Sequence, residues 1–403
     1  MTDFSAQLLI TGIAELATPT GSQPRRGDDQ RRVARRSAVE ILCRDGRVAF
    51  IGTREERERA VGALPDTARL DAAGGTVVPG FVDAHTHLPW HGTREHEFVR
   101  RLAGVTYQEI AAEGGGILAT VRSTREASED TLVAATRLRM DTLLRHGTTT
   151  AEAKSGYGLT LQDELKQLRA IRRAHDGHAV DLVPTLLAAH EVPPELRGEG
   201  AAGRERWVST ICDEIVPKTA EAGLAKFCDV FCERGVFSAD EFADSGGAEL
   251  AAELGAYSAD HLMAVSDAGL EALAKSGTVA TLLPGTSFFL MKKHYAPARR
   301  MIESGVAVAL GTDCNPGSCH TESLPAVIVV AVLQMGLTIE EALTAATLNA
   351  ACTLGLGEQI GTVEVGKQAD LLILDAPNLL HLVYHWGVNP VRTVVKRGRV
   401  VVG

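Results

Sequence analysis

Two histidines one residue apart, His85 and His87, follow directly on the apolar run Val77-Val-Pro-Gly-Phe-Val-Asp83. Alternate residues of an extended chain point to one face, so both imidazoles can turn toward a single cation at the strand's C-terminal end. A second chemical signal closes another apolar run, Val306-Ala-Val-Ala-Leu-Gly311, which leads into Thr312-Asp313 and the turn sequence Cys314-Asn-Pro-Gly-Ser318. A carboxylate at a strand end can ligate a metal or take a proton from water. His85, His87 and Asp313 are therefore the candidate metal ligands, and Asp313 is also a candidate catalytic base. Histidines satisfied by ordinary hydrogen bonds, and a turn or capping aspartate, are the plain alternatives; the placement of all three residues at strand ends disfavours them.

Between about residues 78 and 356, short β-branched runs alternate with helical stretches, as βα units around a parallel sheet do. The fold class is α/β, with a TIM-like (β/α) barrel of the metal-dependent hydrolase type as its main body. Strands are expected at Val77–Asp83, Thr148–Lys154, Val180–Ala188, Lys226–Cys232, Ala256–His261, Thr278–Leu283 and Val306–Asp313. That count is one short of a closed barrel of this kind. The shortfall falls between the fourth and fifth strands, because Glu233 to Gly255 holds one helical pattern, Gly247 to Leu254, and no further strand. Helix punctuation fits the scheme: Ser128 caps a helix that runs to Arg145-His146 and stops at Gly147, and Thr338 with Glu341 forms a capping box. Residues 1–77 and 357–403 instead alternate short apolar segments with glycine turns, which predicts one composite, sandwich-like β-domain built from both termini.

With 403 residues, 45% of them apolar, the chain can bury a sizeable core. Its net charge of −10 has the wrong sign for gripping phosphate backbones, so nucleic acid is not an expected partner. The longest uncharged apolar stretch, Ser323 to Ile339, is interrupted by Pro325, Gln334 and Gly336 and falls short of the roughly 20 apolar residues of a membrane span. The first residues carry Asp3 and no basic region ahead of an apolar one, unlike a secretory signal. Seven irregularly spaced cysteines suit reduced thiols in the cytoplasm, with Cys228 and Cys232 read as core thiols. The Arg-rich tract from Arg25 to Arg36 reads as a solvated loop.

Several longer motifs go beyond these patterns. PGFVDAHTHL (79–88), Gly104-Val-Thr-Tyr107 with Gly114-Gly-Gly-Ile117, TTTAEAKSGYGL (148–159), Ala189-His190, Ala239-Asp-Glu241, Ser258-Ala-Asp-His261, LPGTSFFL (283–290) and TDCNPGS (312–318) together resemble the imidazolonepropionase family of the amidohydrolase superfamily, over nearly the whole chain. The resemblance implies hydrolysis of the cyclic amide 4-imidazolone-5-propanoate to N-formimidoyl-L-glutamate in histidine degradation. It implies one Zn²⁺ or Fe ion per chain, a small-molecule substrate with a carboxylate tail, and compatibility with a homodimer. Carried over residue by residue, it makes Arg94 the clamp on the propionate and brings Tyr157 and His190 to the imidazolone ring. Asn315, Gly317 and Ser318 would line the pocket. Glu241 becomes the ring-nitrogen partner and proton shuttle, and His261 would orient the water or share the proton.

One departure stands out. The family pattern has a further strand ending in a ligand histidine just before Ala239-Asp-Glu241, and here Ser238 occupies that place. The absent strand and the absent ligand are one deletion, which predicts weaker metal binding unless His261 moves in as a substitute. Lys154 invites comparison with the bridging lysine of two-metal relatives, but a mononuclear site explains the ligands with fewer assumptions. Two alternatives remain open: another metal-dependent deaminase or cyclic amidase, and a binding protein without turnover.

Overall fold

A computed structural model describes residues 7–106, 109–110, 113–232 and 246–403. Seven parallel strands carry the site: β1 (Phe81–Asp83), β2 (Thr148–Lys154), β3 (Asp181–Ala189), β4 (Phe227–Val230), β5 (Ser258–Asp260), β6 (Val279–Leu282) and β7 (Val308–Leu310). They form two ladders, β4-β3-β2-β1 and β5-β6-β7. A parallel bridge between Thr86 and Cys314, just past the strand ends, joins β1 to β7. The sheet thus curls into the barrel of the metal-dependent hydrolases, and among the described residues no ladder joins β4 to β5. The strand missing from the sequence count falls on that side, whose connecting residues 233–245, with Ser238, lie outside the described residues.

All seven residues of β2 are buried, because one face meets the barrel interior and the other the helices. Those helices begin and end where the sequence says. In α2 (Glu129–Arg145) the Ser128 hydroxyl accepts from the Thr131 amide, Glu129 and Asp130 fill the first turn, and Gly147 just beyond has a φ of +90°. The Thr338–Glu341 capping box is also present.

The expected first barrel strand is two strands. Thr76–Pro79 pairs antiparallel with Leu371–Leu374 in a six-stranded sheet that draws on both ends of the chain, and only Phe81–Asp83 enters the barrel. Pairing switches at Gly80, whose amide still donates to Asp370 O (2.9 Å) while that of Phe81 donates to Gly147 O (3.0 Å), and a Cβ at Gly80 would collide with Thr149. A second, four-stranded sheet (Gln7–Thr11, Glu40–Arg44, Arg47–Gly52, Ala68–Asp71) packs on the first through Ile10, Ile41, Val48, Val77, Leu371 and Ile373, forming a small sandwich.

Two other expectations need correction. Cys228 is exposed, not a core thiol, because alternate residues of β4 face outward beside an edge that pairs with no further strand among the described residues. The Arg-rich tract is not wholly solvated. Its Gln30 is fully buried, its amide donating to Val308 O (3.0 Å) and its carbonyl accepting from Val308 N (3.0 Å), so it serves β7 as a ladder partner. No helix among the described residues is long and apolar enough to cross a membrane.

Gln30→Leu leaves the Val308 amide buried without an acceptor. We expect a loss of about 2 kcal/mol in unfolding free energy, measured by urea denaturation, whereas Arg31→Ala, on an exposed side chain, should stay close to the parent.

Candidate functional site

The ends of β1 and β7 are stitched together. Asp313 N donates to His85 O (2.9 Å) and His87 N donates to Cys314 O (3.0 Å). The Asp83 carboxylate accepts from both the amide (2.9 Å) and the hydroxyl (2.7 Å) of Thr312. Gly311 permits the close approach: a Cβ there would sit 2.9 Å from the backbone of His85. Asp313 adopts a φ of +52°, and the Thr286 hydroxyl donates to its Oδ2 at 2.5 Å. Its Oδ1 lies 3.6 Å from His85 Nε2 and 3.4 Å from His87 Nε2.

One ligand atom from each of His85, His87 and Asp313 lies within 4.8 Å of the others, and all three residues are buried. Two imidazoles and a carboxylate are the donor set of a catalytic zinc-type site that keeps a position open. The nitrogens that face Asp313 are the Nε2 atoms of both rings, while His87 Nδ1 is buried with no hydrogen-bond partner among the described residues. Burial, reinforced by the Lys154 charge, pushes His85 down to about 4, so its ring is neutral at pH 7 with a lone pair to give. Burial works to raise Asp313, but the His87 bond and the fields of His85, His261 and His87 outweigh it and hold the carboxyl below its usual range. The residues fit a metal ion.

Behind the ligands lies a buried charged group. Lys154 Nζ is 2.8 Å from Glu152, 2.9 Å from Asp229 and 3.9 Å from Asp260. Burial disfavours its charge, yet Asp229, Glu152 and Asp260 prevail and keep the amine protonated. Asp260 Oδ2 in turn lies 2.6 Å from His85 Nδ1.

Tyr157 and His190 stand beside the ligands, their ring centroids 5.8 and 5.2 Å from that of His87. Burial, then His87, pushes His190 down to about 3, so it too is neutral. The Gly156–Leu159 loop that carries Tyr157 is held from α3 (Leu161–His175). Glu164 accepts from the amides of Gly156, Gly158 and Leu159, and Gln167 from that of Tyr157.

Arg94 precedes α1 (Glu95–Leu102) and is buried, its Nε donating to Glu97 at 2.9 Å. Its guanidinium lies against Gly317, where a Cβ would meet Nη1 at 2.1 Å. Asn315 shapes that turn, its Oδ1 accepting from the amides of Gly317 and Ser318. Arg101 adds a bond to Gly317 O and stacks over Phe98 and Phe289.

The fold therefore gathers His85, His87, Asp313, Tyr157 and His190, with His261 alongside at 5.4 Å between its ring and that of His85. Arg94, Asn315, Gly317 and Ser318 form a neighbouring cluster. Glu241 lies outside the described residues. Sequence reasoning missed Asp260, Glu97, Thr286 and Glu164. Asp260 had a signal, a carboxylate at a strand end in Ser258-Ala-Asp-His261, and Thr286 sits within LPGTSFFL; Glu97 and Glu164 act from helices outside those motifs.

The Amidohydrolase family profile matches residues 76–182 and 229–401. An imidazolonepropionase of Symbiobacterium thermophilum is 51% identical over 417 positions, covering 98% of this chain and 97% of the relative. That alignment is longer than the 403-residue chain, so the relative has positions without a counterpart here. An imidazolonepropionase of Porphyromonas gingivalis is 44% identical, covering 99% and 98%. Among solved structures, the guanine deaminase of E. coli superposes with a TM-score of 0.69 at 16% identity (98% and 99% covered). A 5-methylcytosine deaminase of Klebsiella pneumoniae gives 0.67 at 18% (96% and 97%). These two likenesses speak to the fold alone.

Glu164→Ala strands three loop amides. It should lower unfolding free energy by about 2–4 kcal/mol and speed hydrogen exchange at residues 156–159, while Glu164→Gln, keeping one acceptor oxygen, should lose about half as much.

Proposed function

From the premise that this chain belongs to the amidohydrolase family, and within it to the imidazolonepropionases, we propose that it hydrolyses 4-imidazolone-5-propanoate to N-formimidoyl-L-glutamate in histidine degradation. The observation that carries the reading is the convergence of His85, His87 and Asp313 at the barrel's strand ends, in a chain so similar to those relatives.

In this reaction water attacks the ring carbonyl, the bond from carbonyl carbon to ring nitrogen breaks, and the carbonyl becomes a carboxylate. One Zn²⁺ or Fe ion held by His85, His87 and Asp313 would polarise that carbonyl and acidify water beside it. Asp313, a carboxylate at neutral pH, accepts the proton released by the attacking water. His261 shares that proton, and Glu241 delivers one to the departing ring nitrogen. Neutral His190 and Tyr157 flank the ring. Arg94, oriented by Glu97 and packed on Gly317, pairs with the propionate, for which a planar guanidinium offers parallel donors. Asn315 and Ser318 hold the turn on which that clamp rests. The seven scattered cysteines support a reducing, cytoplasmic setting.

Metal content per chain measured together with imidazolone-propanoate hydrolysis tests the reading. Bound metal with turnover is expected; a chain that takes up no cation and opens no ring would refute it. Arg94→Ala should raise KM for the natural substrate about 10–100-fold and leave kcat for an analogue lacking the carboxylate tail nearly unchanged. Gly317→Ala, which pushes a methyl group into the guanidinium, should reproduce part of that KM effect.

A further inference from the structure

His85 is built into a line of polar contacts that the hydrolytic chemistry does not use. Its Nδ1 lies 2.6 Å from Asp260 Oδ2, and Asp260 is 3.9 Å from Lys154 Nζ. Lys154 in turn holds Glu152 of its own strand and Asp229 of β4. The contacts begin on β2, reach β4 and β5, and end on a ligand beyond β1. They therefore span the side of the barrel where β4 and β5 share no ladder among the described residues. All four charged side chains are mostly withdrawn from water, Lys154 at 3% exposure and Asp260 at 14%.

A neutral imidazole carries one proton. If Nδ1 bears it and donates to a carboxylate, Nε2 is left with its lone pair, and Nε2 is the nitrogen that faces Asp313. Which nitrogen ligates is thus decided by what the other nitrogen touches. Asp260 is suited to this task because it is shared between His85 and an ammonium. Lys154 Nζ, 3.9 Å away, sets a positive charge beside this acceptor on the side where β4 and β5 share no ladder among the described residues.

We propose that Asp260, with Lys154 beside it, is the positioning residue for the metal centre: it fixes the His85 ring with Nδ1–H toward itself and Nε2 toward the cation. The inference rests on the reading that His85, His87 and Asp313 hold that cation. It assigns to the β5 carboxylate and the β2 ammonium a second duty, which is to keep a ligand in register across a barrel whose described strands do not close there.

The test is Co²⁺ affinity by chelator competition, combined with ¹⁵N shifts of His85 in metal-free protein. Asp260→Ala should weaken Co²⁺ binding about 10–100-fold and convert His85 from the Nδ1-protonated form to a tautomer mixture. Asp260→Asn, which keeps an acceptor oxygen and nearly the same shape, should retain most of the affinity and the Nδ1-protonated ring. Lys154→Met should weaken binding in the same direction as Asp260→Ala. An Asp260→Ala affinity within twofold of the parent, or a parent His85 already protonated on Nε2, overturns the proposal. A parent chain that binds no Co²⁺ at all would instead sink the reading it rests on, and the nitrogen shifts would still decide whether Asp260 holds His85.

Discussion

The structure depends on the seam between the first and last barrel strands. Two backbone hydrogen bonds, from Asp313 to His85 and from His87 to Cys314, place three candidate ligand side chains from opposite ends of the barrel sequence around one point. Backbone bonds at fixed spacing make this a constraint of the fold, not of side-chain rotamers. Asp83 strengthens it by accepting both the amide and the hydroxyl of Thr312. Burial pushes the Asp83 carboxyl up to about 7, a measure of how far the seam lies from water. That dryness also keeps His85 neutral and makes charges placed nearby count for more than they would in solvent.

Around this seam, each functional loop is secured by a polar residue from a neighbouring element. Glu164 satisfies the amides of the glycine loop that presents Tyr157, and Glu97 fixes the guanidinium of Arg94. Asn315 folds the turn against which that guanidinium packs, and Gly317 leaves it room. A buried polar group that is fully satisfied rigidifies its surroundings, whereas one left half-satisfied is costly. Lys154 stands among three carboxylates, close to Glu152 and Asp229 and 3.9 Å from Asp260, and burial pushes Glu152 up to about 7, which lightens the negative charge that one ammonium has to offset.

Much of this was legible in the residues. Strand periodicity placed His85 and His87 on one face, the strand count revealed seven βα strands, and the motif in which Asp313 sits marked it as chemical. The split of Val77–Asp83 into two strands of different sheets was not legible. Both halves are apolar, and the switch lies in partners distant in sequence, Asp370 for the Gly80 amide and Gly147 for that of Phe81. Gln30 was hidden in a charged tract because its partner, Val308, lies far along the chain. Cys228 was misread because its spacing from Cys232 does not show which face of the strand its neighbours cover. Glu164 escaped notice because its partners, a row of loop amides, leave no local pattern, whereas Asp260 stood at a strand end in Ser258-Ala-Asp-His261 and only its imidazole partner was hidden.

The central claim is that, among the described residues, His85, His87 and Asp313 supply the protein's side of the proposed metal centre. X-ray absorption of the chain loaded with a single equivalent of Zn²⁺ reads this directly through the scattering of imidazole rings. The account predicts two imidazoles in the shell, with the remaining ligands oxygen. A shell with three imidazoles, as His261 moving in would give, or with none, would contradict it.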